Sequence, residues 1–192
     1  FAKNPAMSRQ IFCTANAKDQ AKIAFEMARK QLDALRAKYK EIREMTKRVR
    51  DELKNLDDES YVTYLSKETG AIDGFEPYVG VFDEYGASKT NEMMELIESG
   101  QGQLDNPLTL IISTANFDLN VPMYQVEYPR MKQILEEEIE DEEQFAYIAE
   151  QESLEELENP ELYIKSNPIL EVAAVKDVMF DYLKDRWKKA KE

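Results

Sequence analysis

The sequence predicts an α/β fold with a mostly parallel central sheet flanked by helices. Three observations lead there. Short apolar runs of strand length occur at 10–15, 78–82 and 108–112. Amphipathic helical patterns separate them, giving strand, helix, strand, helix, strand along the chain. The second and third runs end in polar or acidic residues, as strands do at the ligand-binding rim of an open sheet.

The chain has 192 residues, enough for one domain with a real core, or a domain plus a small appendage. No apolar run approaches the ~20 residues of a membrane-spanning helix. Pro5 and Ser8 interrupt any signal-peptide pattern. Cys13 is the single cysteine, which excludes an internal disulfide and fits a reducing compartment. There is no histidine. That removes His-based general-base chemistry, Ser-His and Cys-His nucleophiles and His-ligated zinc. Any metal would be a hard cation held by oxygen: Mg²⁺, Mn²⁺ or Ca²⁺. The net charge of −14 argues against a simple nucleic-acid coat. The charge is uneven: 36–50 holds seven bases against two acids, and 136–161 holds thirteen acids and no Lys or Arg. A chain opening Phe-Ala-Lys-Asn-Pro reads as the interior of a longer protein.

In order, residues 1–10 read as a loop with a turn at Asn4-Pro5. A buried strand follows at 10–15. The next helix is capped by Asn16 or Asp19, with its apolar stripe at Ala21, Phe25, Ala28, Leu32, Leu35 and Tyr39. Residues 40–60 either continue as a charged helix or break near Lys40 and include an exposed strand; the break is favoured. Tyr61 to Leu65 has strand composition. A loop containing Gly70, Gly74 and Pro77 leads into the strand at 78–82. Ser88 or Thr90 caps a helix that buries Met93, Met94 and Ile97 and stops at Gly100. The β-branched run at 108–112 reads as another buried strand. Pro122 starts a helix to about Glu138, which Pro129 kinks or splits. Residues 145–149 read as a strand. The acid-rich stretch 150–162 is a surface segment without basic partners, and a last amphipathic helix runs over about 171–189. Its buried positions are Val172, Val175, Met179, Tyr182 or Leu183, and Trp187. The division expected is 1–150 for the core and 151–192 for an acidic segment and helical subdomain packed on it.

The chemistry concentrates at 78–84, Tyr-Val-Gly-Val-Phe-Asp-Glu. An apolar strand ending in Asp-Glu is the Walker B pattern of nucleotide-hydrolysing enzymes. There the Asp holds Mg²⁺ and the Glu orients or deprotonates the attacking water. The plain alternative is a strand followed by an acidic turn. A right-handed crossover would bring Ser113 and Thr114 to the same rim as Asp83 and Glu84, although alone they read as a turn or cap. The basic cluster Lys38, Lys40, Arg43, Lys47, Arg48 and Arg50 is a solvated face or a phosphate contact. Two further readings stand beside the hydrolase: a non-catalytic acidic α/β interaction module, and a two-metal nuclease built on Asp73, Asp83 and Glu84. The nuclease lacks a partner carboxylate on a later strand.

Five segments, in order, resemble the ATPase part of the large terminase subunits of tailed bacteriophages. They are Cys13-Thr14-Ala15-Asn16-Ala17-Lys18-Asp19-Gln20-Ala21, Asp73 to Pro77 with Val81 to Tyr85, Glu98 to Gly102 with Asn106-Pro107-Leu108, Ile111 to Asn116, and Tyr163-Ile164-Lys165-Ser166-Asn167-Pro168. The resemblance implies a P-loop NTPase-like fold and an ATP hydrolase that drives double-stranded DNA into proheads. ATP and Mg²⁺ are the implied cofactors. Asp83 would take the metal and Glu84 would activate water. Ser113 and Thr114 would sense the phosphate and couple hydrolysis to movement. Lys40, Arg43, Lys47, Arg48 and Arg50 become DNA-contact candidates. The implied partners are DNA, the small terminase subunit, the portal protein and further copies in a ring, in the cytoplasm of the bacterial host and with no membrane. That scheme allows the isolated chain to be a monomer. No Gly-x-x-x-x-Gly-Lys-Ser/Thr occurs, so the Walker A loop and its first strand are expected upstream of Phe1, and the chain alone is expected to be inactive.

Overall fold

The computed structural model describes residues 8–65 and 75–192. The expected Asn4-Pro5 turn, Asp73, and the loop glycines Gly70 and Gly74 lie outside the described residues. Six strands form one sheet: β1 (Gln10–Thr14), β2 (Thr46–Arg48), β3 (Leu53–Asn55), β4 (Tyr61–Leu65), β5 (Pro77–Asp83) and β6 (Leu108–Ile112). Their order is β2-β3-β4-β1-β5-β6. β4, β1, β5 and β6 run parallel, and β2 and β3 join as an antiparallel extension. The mostly parallel sheet of the α/β prediction is therefore present.

β1 has neighbours on both edges, which suits the apolar run Ile11-Phe12-Cys13 at its centre. Phe12 is fully buried. α1 (Lys18–Lys38) lies against the sheet through Ala21 and Phe25, and the Phe25 ring sits 5.3 Å from that of Tyr64. The stripe fades beyond Leu32, and Leu35 and Tyr39 are exposed. Geometry explains this. A 21-residue helix is about 31 Å long, whereas five-residue strands span about 17 Å. The cap is Ala17, without a side-chain bond, rather than Asn16 or Asp19. Asp19 instead lies in the first turn, where a negative charge suits the helix dipole.

The favoured break near Lys40 is present. Tyr39 is extended, a short helix α2 (Lys40–Met45) follows, and β2 and β3 form a hairpin closed by Val49 N–H donating to the Glu52 carbonyl at 2.9 Å.

α3 (Glu92–Gln101) connects β5 to β6 and packs Met94 and Ile97 on Phe12, Leu65, Phe82 and Tyr85. At Gly80 a Cβ would lie 2.7 Å from Ile97 Cγ2, so only glycine lets the helix approach this closely. The cap is Asn91, not Ser88 or Thr90. The Ser88 hydroxyl donates instead to the Thr90 carbonyl at 2.9 Å, a local turn that competes with capping. Gly100 does not end the helix, which continues to Gln101.

The expectation that 108–112 is buried is corrected. β6 is an edge strand, and Leu108, Leu110 and Ile112 are exposed while Thr109 and Ile111 turn inward. Composition alone does not separate a central strand from an edge strand awaiting a neighbour.

After Pro122 the helix begins as a π-helical turn (Met123–Glu127) and becomes α4 (Tyr128–Leu135). The change of register falls at Tyr128-Pro129, where the missing proline N–H removes one bond of the α ladder.

The chain divides into two compact units, Phe1–Lys132 and Gln133–Glu192; the sequence reading divided it at 150. In the second unit, 145–149 is not a strand. Without a partner ladder, its aromatic composition does not suffice. Three 3₁₀ segments (Leu154–Glu158, Pro160–Lys165, Pro168–Glu171) precede α5 (Lys176–Ala190). That helix starts later than expected, and Val172 and Tyr182 are exposed. The acidic stretch does have basic partners: Lys165 pairs with Glu152 at 3.0 Å and Glu156 at 2.5 Å, and Lys191 pairs with Glu158 at 2.7 Å. These cations come from outside 150–162, where a local scan of charge does not look. Among the described residues no helix is long and apolar enough to cross a membrane.

Candidate functional site

Parallel strands bring their carboxyl ends to one rim. Thr14, Asp83 and Ile112 therefore share an edge of the sheet, and Asp83 pairs in register with Ile112. Asp83 is half-buried. It lies close enough to Cys13 to reinforce the effect of burial, and together they push that thiol up to about 11. Cys13 is thus a neutral core thiol.

Glu84 follows in a left-handed conformation, φ 54° and ψ 40°. For a residue with a Cβ this costs on the order of 1–2 kcal/mol, so the surrounding bonds must hold it. They are present. The Thr114 hydroxyl donates to Glu84 Oε2 at 3.2 Å. The Asn16 amide donates to the Glu84 carbonyl at 3.5 Å. One residue on, Gly86 N–H donates to Ser113 Oγ at 2.9 Å, and the Asn116 amide donates to the Gly86 carbonyl at 3.0 Å. Tyr124 adds a bond from its hydroxyl to the Thr114 carbonyl at 2.8 Å. A Cβ on Gly86 would come within 2.5 Å of Ser113 Oγ, so the two loops meet only through a glycine.

The structure therefore brings together all four rim residues singled out from the sequence: Asp83, Glu84, Ser113 and Thr114. Ser113 is used in pinning the Gly86 turn, and Thr114 holds the carboxylate. Sequence reasoning missed Gly86, Asn116 and Tyr124 as parts of the site. Asn116 lies inside the Ile111 to Asn116 motif; Tyr124 is 10 residues beyond Thr114, and no local signal points to it.

The Tyr85 side chain turns the other way, into the core, and its ring packs edge-on to Phe82 at 5.9 Å. Burial, and after it the negative charges of Glu127, Glu98 and Glu95, push its phenol up to about 12. Glu98 is raised as well, first by burial and then by the charge of Glu95; Glu127 is raised by burial and then by the charge of Glu98, and Arg130 partly offsets the rise.

The cleft beside Asp83, lined by Thr14, Asn16, Phe82, Ser88 and Met93 among others, measures only about 20 Å³. That is room for about one water. No group of three or more acid or thiol ligands that could cage a metal is found among the described residues. Among the described residues the rim supplies two carboxylates, the half-buried Asp83 and the exposed Glu84.

The basic candidates sit elsewhere. Lys40, Arg43, Lys47, Arg48 and Arg50 lie on α2 and the β2–β3 hairpin. Four inter-strand steps separate β2 from β5, about 19 Å at the usual spacing. Arg48 is paired to Asp33, and Lys40 to Glu44 at 3.5 Å. Arg36 is turned inward to the Thr46 hydroxyl at 2.7 Å and pins the hairpin. Arg43, Lys47 and Arg50 are exposed.

Residues 1–133 match the family model described as "Terminase large subunit, ATPase domain". The chain belongs to that family. Among curated proteins, Protein YmfN of Escherichia coli (strain K12) is 24% identical over 131 residues, covering 68% of this chain and 28% of its own length. Among solved structures, the large terminase of bacteriophage HK97 superposes with a TM-score of 0.72 at 19% identity, over 95% of this chain and 37% of that one. The fold is that of a terminase, P-loop NTPase-like. The chain spans roughly a third of the length of these relatives. Four of the five motifs behind the stated resemblance lie within the matched residues; the fifth, 163–168, lies beyond them.

Proposed function

We propose that the β5–β6 rim is the hydrolytic wall of a Mg²⁺-dependent ATPase that moves double-stranded DNA. The observation that carries this is the Asp83-Glu84 pair at the carboxyl end of β5, with the Glu84 carboxylate bonded to Thr114 from the next parallel strand. A Mg²⁺ that keeps its waters and phosphate oxygens needs only one or two protein carboxylates, and Asp83 offers one. Bound there, ATP and Mg²⁺ would supply the phosphoryl group and the neutralising charge. Glu84 accepts the proton of the attacking water. Thr114 keeps its carboxylate from rotating away, and Ser113, through Gly86, ties that carboxylate's turn to β6.

The phosphate cradle in this reading comes from polypeptide outside residues 1–192. Two features support it. The sequence has no Gly-rich Lys-Ser/Thr loop, and β6 presents an open edge. On one face of the β5–β6 pair, Val79, Val81, Leu108, Leu110 and Ile112 are half or fully exposed and lead to Asp83. A strand and helix covering that edge and face would place backbone amides opposite Asp83. The DNA path, on this reading, engages Arg43, Lys47 and Arg50 before the ion-paired Lys40 and Arg48. The small terminase subunit, the portal protein and further copies in a ring are the proposed partners, in the host cytoplasm.

The test compares ATP turnover with Mg²⁺ in the 192-residue chain and in the longer protein containing it. The proposal expects turnover in the longer protein only. If the longer protein neither binds nor hydrolyses ATP, the rim is structural and an acidic interaction module takes its place.

A further inference from the structure

The coil that follows β6 carries Ser113 and Thr114, and it has little backbone support of its own. Among the described residues, 114–117 take part in no backbone-to-backbone hydrogen bond. Thr114 is exposed, so side chains must fix it. Its carbonyl accepts from the Ser113 hydroxyl at 3.2 Å and from the Tyr124 hydroxyl at 2.8 Å. Its own hydroxyl donates to Glu84 Oε2. Ser113 and Glu84 belong to the two loops that have to be held. Tyr124 is the donor that stands on a helical element.

That element is well anchored. Tyr124 lies within the single π-helical turn Met123–Glu127, which closes with Tyr128 N–H donating to the Met123 carbonyl. The Val121 carbonyl accepts from both Tyr124 N–H and Gln125 N–H at 3.0 Å, so the start of the turn is doubly bonded. The Tyr124 ring lies 6.3 Å from that of Tyr128, and Met123 packs on the core cluster that contains Phe82 and Tyr85. The Tyr124 hydroxyl fills the notch left by Gly86, where a Cβ would come within 3.1 Å of it. Single π turns recur at functional sites. Glu84, by contrast, combines a left-handed backbone with an exposed side chain. A strained acid on a loop keeps one geometry only if the groups that hold it are themselves held.

We infer that Tyr124 is a positioning residue for Glu84: its hydroxyl fixes the Thr114 carbonyl, and Thr114 in turn fixes the Glu84 carboxylate. The inference rests on the hydrolytic reading of the rim and adds to it the residue that keeps the general base in line. Tyr124 does not touch the reacting atoms. Its effect therefore falls on the chemical step and not on ATP binding, since misplacing a catalytic group by about 1 Å can cost about 10²-fold in rate.

Tyr124→Phe removes the hydroxyl and keeps the ring; circular dichroism and chemical denaturation check the fold. In the 192-residue chain, hydrogen exchange is followed at the Gly86 amide, which donates to Ser113 Oγ. It reports on the joined loops without nucleotide, and it should quicken about fivefold or more in the variant. In the longer protein, kcat should fall about tenfold while the ATP dissociation constant stays within about threefold. Glu84→Gln and the double variant decide whether Tyr124 acts through Glu84. The double variant should be no slower than Glu84→Gln alone, because no base is left to position. Unchanged exchange at Gly86 overturns the inference. So does a kcat within about twofold of the unsubstituted protein, a loss confined to ATP binding, a double variant about tenfold slower than Glu84→Gln, or loss of the fold in Tyr124→Phe. Each of those results leaves the hydrolytic reading standing. Turnover retained by Glu84→Gln removes that reading, and the inference with it.

Discussion

The two edges of the sheet differ in kind. At one edge, β2 is three residues long, reads Thr-Lys-Arg, and is twisted into a hairpin. Short, charged edges resist pairing with other chains. At the other edge, β6 is a five-residue apolar strand whose outward side chains, Leu108, Leu110 and Ile112, are exposed. An edge of that composition is a template for another strand. The comparison teaches that β2 closes its side of the sheet to further pairing, whereas β6 leaves its side open to it. The open edge lies directly beside β5, which ends in the rim carboxylate Asp83.

The largest effect expected is on the shared core. Phe12→Ala empties a fully buried site under both edges and should cost about 3–5 kcal/mol; chemical denaturation measures it, and a loss under about 1 kcal/mol would mean that β1 is not the centre of the sheet. Next comes the rim. Gly86→Ala drives a methyl toward Ser113 Oγ and should destabilise by about 1–3 kcal/mol, with loss of ATPase activity in the longer protein. Equal activity in that variant would detach the Gly86–Ser113 bond from function.

The edges are separated by a paired substitution. Leu110→Lys in the 192-residue chain removes only exposed apolar surface, so stability should stay within about 0.5 kcal/mol and solubility should rise. If, as proposed, further polypeptide covers this edge in the longer protein, the same change there should destabilise by about 2 kcal/mol or more. Lys47→Leu on β2 should be near neutral in both. If Leu110→Lys is neutral in both, β6 is a finished edge as well.

The smallest effect is at Tyr85. Its phenol is raised to about 12 in the folded chain against 10.0 for the free group. The unfolded chain therefore loses its proton first as pH rises. Stability from this group is complete below pH 10 and is lost between about pH 10 and 12. Burial raises Tyr61 and Tyr64 as well, so ultraviolet titration should show Tyr85 ionising last, near pH 12, and Tyr85→Phe should remove that last step. Ionisation of all tyrosines near pH 10 would contradict the burial described.

The sheet and its rim were legible because β1, β4 and β5 are short apolar runs with unambiguous ends. The meeting of Glu84 with Thr114 followed from parallel pairing and a right-handed crossover alone. Other features depend on neighbours that local sequence does not show. The exposure of β6 depends on which strand lies beside it. Ala17 displaced the better capping residue Asn16, whose amide found another partner, and Asn91 took the cap from Ser88, whose hydroxyl turned to Thr90. Lys165 reaches back 13 residues to Glu152, so the acidic stretch looked unpaired when read in windows.

The central claim is that Glu84 performs the chemistry while leaving binding to other groups. Its most direct test is Glu84→Gln in the longer protein, with ATP binding and ATP turnover measured separately. The account predicts binding within about threefold of the unsubstituted protein and turnover reduced at least 10²-fold, the usual range for a lost general base. Turnover retained at near its original rate would contradict it, and would leave the Asp83-Glu84 pair as the end of a strand and nothing more.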